Sequence, residues 1–314
     1  MKKKIFFICK LIFGFGLLGY LVAYKTDPAA ILAVLKGISW PLAVAAFLLH
    51  AVGLLISAIR WKLLLDEKGS PYSIRQLMQY YLVGIFFSHF LPSRFGGDVV
   101  RVSDTRDIPE GMAASLAVVV YERLSGIVAL MVFALVSALI KLKFTMGFPF
   151  IYLTLLAGFV FLALLILLWL KLPRDFVSHW KPRWPFLARI VAKLSVIHAV
   201  IYDFLKHKKI QQRVVFWAFL LQLNVVIHYY LIGMALKTTR IPFLDYFFII
   251  PILLFILSVP LSINGIGVRD LTMIKFFSLY GYGASYAIGF SLLDVLFNLI
   301  LGVIGGLIYS LRKK

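Results

Sequence analysis

Two short stretches set guanidinium groups beside helix breakers inside an otherwise apolar chain. The first, HFLPSRFGGDVVRVSD at residues 89–104, carries Arg94, Asp98, Arg101 and Asp104 together with Pro92, Gly96 and Gly97. The second, SVPLSINGIGVRD at 258–270, carries Pro260, Asn264, Gly265, Gly267, Arg269 and Asp270. Arginine is the side chain best shaped to grip a phosphate through two parallel hydrogen bonds. Proline removes a backbone donor, and glycine permits positive φ and close approach of the main chain to a ligand. A helix beginning after Gly97 or Gly267 presents free N–H groups and a positive dipole end, which suits an anion. A third polar insertion, YERLSG at 121–126, puts Glu122 and Arg123 inside an apolar span. A charge at the bilayer centre costs roughly 2.5–3.5 kcal/mol on insertion scales, so each of these residues is a candidate for function. Asp98, Glu122, Asp270 and Asp294 are candidate counter-charges or proton acceptors. The competing reading is that Arg101–Asp98 and Arg123–Glu122 are ion pairs without a ligand, or arginines that snorkel to the headgroups. His89 and His228 read as hydrogen-bonding fillers.

The elements that must position these residues follow from composition. The chain has 314 residues, 62% of them hydrophobic, and a mean hydropathy of +0.96. Apolar stretches reach the roughly 20 residues needed to cross a bilayer, and strand-period alternation is absent. The expected fold is therefore an all-α, polytopic membrane protein forming one integral domain over 1–314. Spans are expected near 5–24, 38–59, 113–140, 149–170, 214–236 and 284–311, about six in all. The N-terminal run is longer than a signal-peptide core and lacks a clear A-x-A site, so it reads as an uncleaved first span. The net charge of +20 is that of basic loops meeting anionic lipid, not of a nucleic-acid binder. Cys9 is the one cysteine, which excludes an intrachain disulfide, and no CxxC or HExxH spacing announces a metal or cofactor. The strongly basic segment 171–213 reads as a cytoplasmic connector whose middle, apolar at 187, 190, 191, 194, 197, 201, 204 and 205, forms an amphipathic helix on the membrane surface.

Basic residues set the orientation. Lys2–Lys4, the loop containing Arg60, Lys62, Lys68 and Arg75, the 171–213 segment and Arg312–Lys314 belong on the cytoplasmic side, with both termini inside. That assignment constrains the two ambiguous apolar segments near 76–91 and 243–259. Each must return to the side from which it came. The first is then a re-entrant or broken-helix element from the cytoplasm, and the second one from outside. Pro92 and Pro260, Gly97 and Gly265, Val100 and Val268, and Arg101 and Arg269 fall at matching offsets in the two. Inverted repeats with broken helices near mid-membrane are a common transporter architecture. Non-helical backbone survives there only where protein buries it or water lines it. Arg101 and Arg269 are accordingly expected to face a common polar cavity.

The pattern LPSRFGGDVVR, SLAVVVYERLSGIVAL, VPLSINGIGVRD and the C-terminal YGYGASYAIGFSLLDVLFNLILGVIGGLIY resembles the flippase-like lysylphosphatidylglycerol synthase transmembrane region family, formerly an uncharacterised family. Its motif of P-x-x-x-G-G-D-x-x-R, a later E-R and P-x-x-x-x-G-x-G-x-R-E matches Pro92, Gly96, Gly97, Asp98, Arg101, Glu122, Arg123, Pro260, Gly265, Gly267 and Arg269. Asp270 stands where the family has Glu, and Asp294 where many members carry arginine. The resemblance implies lipid handling. In the multiple peptide resistance factor proteins this region is similar to a flippase fused to a soluble synthase. The chain runs three residues past its last expected span, so lysyltransferase activity is not expected. The leading expectation is transport of an anionic phospholipid or polyprenyl-phosphate lipid across the cell (inner) membrane. The head group would be held by Arg94, Gly96, Gly97, Asp98, Arg101, Glu122, Arg123, Asn264, Gly265, Gly267, Arg269 and Asp270, with no cofactor, metal or catalytic residue. The alternatives are an integral-membrane transferase acting on a phospholipid or lipid-linked sugar, with Asp98 or Glu122 as general base, and a scaffold for a separate synthase.

Overall fold

The structure is a computed structural model describing residues 26–90, 96–140, 184–258 and 265–312, Ser262, and scattered positions within 16–20 and 153–180. Pro92, Arg94, Pro260, Asn264 and most of the expected spans 5–24 and 149–170 lie outside the described residues. Among those described, the long elements are all α-helices: α1 (Pro28–Lys36), α2 (Trp40–Asp66), α3 (Ile74–Phe90), α4 (Gly96–Asp104), α5 (Gly111–Ile140), α6 (Pro185–Lys206), α7 (Lys208–Ala235), α8 (Tyr246–Ser258), α9 (Val268–Ser278) and α10 (Ala284–Leu311). Five of them, α2, α5, α6, α7 and α10, are long and apolar enough to cross a membrane. The all-α, multi-pass class expected from composition is the class found.

Helix α5 serves as the ruler for the molecule. Its 30 residues span roughly 45 Å at 1.5 Å per residue. Near its first turn, Lys68 from the α2–α3 loop lies 3.8 Å from Glu110. Near its last turn, Ser137 donates to the Leu244 carbonyl at 2.9 Å. These two ends carry the feet of two helical hairpins.

The first hairpin is α3–α4. At its open end the Tyr72 hydroxyl meets Asp107, 3.4 Å to Oδ2, and Asp104 pairs with Arg312 at 2.8 Å. Both helices therefore start and finish at the α5 N-terminal end. Their backbones touch: a Cβ on Gly97 would stand 2.8 Å from the Gly84 carbonyl carbon, so only glycine allows the approach. The second hairpin is α8–α9. Its open end is tied by Tyr280, whose hydroxyl donates to Asp245 at 2.8 Å, and by Phe248 against Phe276. Burial and the neighbouring Asp245 carboxylate raise the Tyr280 phenol above its ordinary value, which keeps it a donor. This hairpin starts and finishes at the opposite end of α5. Its return helix begins at Gly267, φ 80°, and the Gly267 N–H donates to Asp270 Oδ2 at 2.9 Å. Two hairpins that open at opposite ends of α5 are the geometry that the charge-parity argument requires of re-entrant elements.

Two expectations need correction. Helix α2 continues to Asp66, so Arg60 and Lys62 are helical, and Arg60 is buried in the bundle instead of marking a loop. A run of good helix formers after Arg60 with no intervening Gly or Pro explains the extension. The connector also ends earlier than 213. Only His207 separates α6 from α7, so Lys208, Lys209 and Arg213 occupy the first turns of α7. Helix α6 is exposed at Phe186, Leu187, Ile190 and Leu194 and buried at Val200, Ile201 and Phe204, where Phe204 packs on Tyr121.

Candidate functional site

The return helices of the two hairpins carry charge into the interior of the bundle. Glu122 lies eleven residues into α5, roughly 16 Å from its start. Glu122 is 1% exposed, and its carboxylate is the hub of a network. Arg101 of α4 donates to Glu122 Oε2 at 2.5 Å and to Asp98 Oδ1 at 3.2 Å. Arg60 of α2 donates to Glu122 Oε1 at 3.3 Å, and the Tyr81 hydroxyl of α3 donates to the same oxygen at 2.9 Å. Arg123 pairs with Asp98 and keeps its side chain 42% exposed. The Arg101 guanidinium packs against both Trp61 and Tyr81, whose rings stand perpendicular to each other, its carbon 4.1 and 3.8 Å from the ring centroids. Such a desolvated cation–π contact contributes about 2 kcal/mol.

Charge counting decides what this network can do. Among the described residues, Arg60, Arg101 and Arg123 face Asp98 and Glu122, three cations against two anions. Nε and Nη1 of Arg60 and Nε of Arg101 are buried without a hydrogen-bond acceptor. Buried donors left unmade are costly, and surplus positive charge in a low dielectric attracts an anion strongly. The network therefore combines unfilled buried donors with a surplus of positive charge.

The second hairpin builds a separate network. Arg269, at the start of α9, donates to Asp294 Oδ2 of α10 at 2.6 Å. Asn298, one turn along α10, donates to the Asp294 carbonyl at 2.9 Å. His228 of α7 lies 3.9 Å from Asp294 Oδ1, and its other nitrogen, Nδ1, is 2.8 Å from the Ala46 carbonyl. His50 of α2 lies 3.4 Å from His228 Nε2. The contacts of Arg101 and those of Arg269 share no residue. Helix α3 spans the two: Tyr81 reaches the first, and His89 meets the Asn298 carbonyl at 3.3 Å in the second.

The sequence-derived residues therefore sort clearly. Asp98, Arg101, Glu122 and Arg123 come together, as do Arg269 and Asp294. Gly96 and Gly97 form the start of α4 against Gly84, and Gly265 and Gly267 take positive φ, 79° and 80°. Asp270 holds the Gly267 N–H. Arg60, Trp61, Tyr81 and His50 were missed, and His228 was underrated. The signal for Arg60 was present, since it interrupts an apolar run in the same way as Glu122 does. His50, His228 and Asp294 carry no local spacing that could unite them.

Comparison with known proteins agrees with a helical membrane protein. The family described as Lysylphosphatidylglycerol synthase TM region matches residues 7–306. A UPF0104 membrane protein of Archaeoglobus fulgidus is 30% identical over 134 residues, 41% of this chain and 40% of that protein. The match thus spans about two fifths of the relative's length. No solved structure matches the chain.

Proposed function

The chain belongs to the Lysylphosphatidylglycerol synthase TM region family, and on that premise we propose that it moves an anionic phospholipid or polyprenyl-phosphate lipid between the leaflets of the cell membrane. The observation that carries this reading is the pair of hairpins entering from opposite ends, each bringing a buried arginine, Arg101 or Arg269, to its carboxylate partner. Broken elements of opposite orientation that meet charge at mid-depth are the parts from which alternating access is built. The head group exchanges water for the donors of Arg60, Arg101 and Arg123. The half-exposed Arg123 makes the first contact, and the buried pair makes the last. The incoming phosphate takes the donors of Arg60 and Arg101 that have no acceptor, so both carboxylates keep their arginines and no charge is stranded in lipid.

In this reading the end of the bundle that carries Lys68, Arg106 and Arg312 faces the cytoplasm. The exposed half of α6, rich in Phe, Leu and Ile with Arg189 and Lys193 beside them, lies among anionic headgroups there. The test is reconstitution in liposomes with fluorescent anionic and zwitterionic lipids in one leaflet. The wild type should bring anionic lipid to the other leaflet, and the Arg101→Ala/Arg269→Ala double variant should not. Equal movement by a correctly inserted double variant excludes the proposal. Appearance of a new lipid species by mass spectrometry would favour the transferase alternative instead.

A further inference from the structure

The second network contains an arrangement that lipid binding does not account for. His228 Nδ1 is 2.8 Å from the Ala46 carbonyl, which can only accept. Nδ1 must therefore carry the ring proton of the neutral imidazole, and Nε2 presents its lone pair. That lone pair faces Asp294 Oδ1 at 3.9 Å, a second acceptor beyond hydrogen-bond range. His50 Nδ1 lies 3.4 Å from the same Nε2. The three atoms lie within 4.8 Å of one another, from α2, α7 and α10, and His228 and Asp294 are buried. With its proton on Nδ1, His50 donates to that lone pair; with the proton on its other nitrogen, all three atoms are acceptors around one point, an arrangement a single cation bridges.

We infer that His50, His228 and Asp294 form a site for a divalent transition metal, with zinc the best fit. Zinc bound at 2.0–2.1 Å to tetrahedral ligands separates them by roughly 3.3 Å, close to the His50–His228 spacing. Two imidazoles and a carboxylate match the preference of zinc for nitrogen and oxygen donors. The outer partners also fit: metal-bound histidines donate their other N–H to a carbonyl, as His228 does to Ala46. Asp294 stays fixed through Arg269 on Oδ2, and its Oδ1, which also takes a long 3.4 Å hydrogen bond from Asn298 Nδ2, keeps a lone pair for the metal. Three protein ligands leave a fourth position for water or an anionic oxygen. Bound metal would tie the tip of the second hairpin to α2 and α7 through Asp294 and Arg269.

The experiment uses the full chain purified in detergent without a histidine tag, stripped by chelator and titrated with Zn2+, with Co2+ as spectroscopic probe. The expected result is one saturable site per chain, a tetrahedral cobalt absorption band, and a rise in thermal midpoint with zinc. His50→Ala, at a half-buried position, should weaken binding at least tenfold. His228→Gln should abolish the cobalt band. Substitution of His179, an exposed histidine remote from the cluster, should change neither. Absence of saturable binding, or binding and a cobalt band that survive His50→Ala, overturns the site and leaves a hydrogen-bonded His–His–Asp relay in its place. None of these readouts requires lipid movement, so the metal site and the transport proposal fail independently.

Discussion

Arg60 and Glu122 show how one residue changes the meaning of a buried charge. Glu122 accepts from Arg101, Arg60 and Tyr81. Removing its charge leaves three arginines facing Asp98 alone. Breaking a buried ion network by losing one partner costs about 3–5 kcal/mol. Glu122→Gln is therefore expected to lower the thermal midpoint sharply in detergent, as read by tryptophan fluorescence. Arg60→Met should behave in the opposite way. It leaves Arg101 and Arg123 balanced by Asp98 and Glu122, and removes a guanidinium whose Nε and Nη1 have no acceptor. Its stability is expected to stay within about 1.5 kcal/mol of wild type, as for tolerated buried swaps. Its affinity for anionic over zwitterionic lipid, measured by native mass spectrometry, should fall because the surplus charge is gone. Unchanged lipid preference in a folded Arg60→Met protein would show that the surplus charge does not select the ligand.

At the scale of elements, the hairpins depend on close backbone approach. Without a hydrophobic drive between helices in lipid, small residues at the contact supply the packing. Gly97 meets the Gly84 backbone, so Gly97→Ala must push α3 and α4 apart. Overpacking of this kind costs about 1–3 kcal/mol. It also moves Asp98 and Arg101, so both midpoint and anionic-lipid binding should drop. Gly283→Ala, with nothing within 4 Å of the added carbon, should leave both unchanged. The hairpins themselves were legible in the sequence, because Pro and Gly next to Arg cannot sit in a plain span and because charge parity forbids an odd crossing. Arg101, Glu122, Asp98 and Arg123 were legible for the same reason. What the sequence did not reveal was pairing across helices. Arg269 and Arg101 look alike locally, yet Arg269 takes Asp294 on α10 while Arg101 takes Glu122 on α5. His50 and His228 are joined only by the antiparallel packing of α2 on α7, which no local pattern encodes. Helix boundaries were misplaced where nothing in the chain breaks the helix, as after Arg60.

For the whole molecule, the decisive property is the opposed orientation of the two hairpins. The open end of α3–α4 lies beside the start of α5, and that of α8–α9 beside its end. Arg106 is exposed at the first and Thr239 at the second. In a chain carrying Cys9→Ser, cysteines introduced singly as Arg106→Cys and Thr239→Cys should react with a membrane-impermeant maleimide from opposite faces. In right-side-out spheroplasts Thr239→Cys should label directly, and Arg106→Cys only after the membrane is opened, because the basic end stays cytoplasmic. Labelling of both from the same face would break the inversion and with it the route by which a head group passes from one hairpin to the other. Labelling from opposite faces in the reverse sense would keep the inversion and overturn only the assignment of the basic end. If the chain transports lipid as proposed, the inversion also constrains the cycle. Arg101 and Arg269 reach their partners from opposite ends, so a head group held at one network has to be handed on along α3, between Tyr81 and His89. That interval is eight residues, roughly 12 Å of helix, a distance that one tilted rigid element can bridge without either arginine losing its carboxylate.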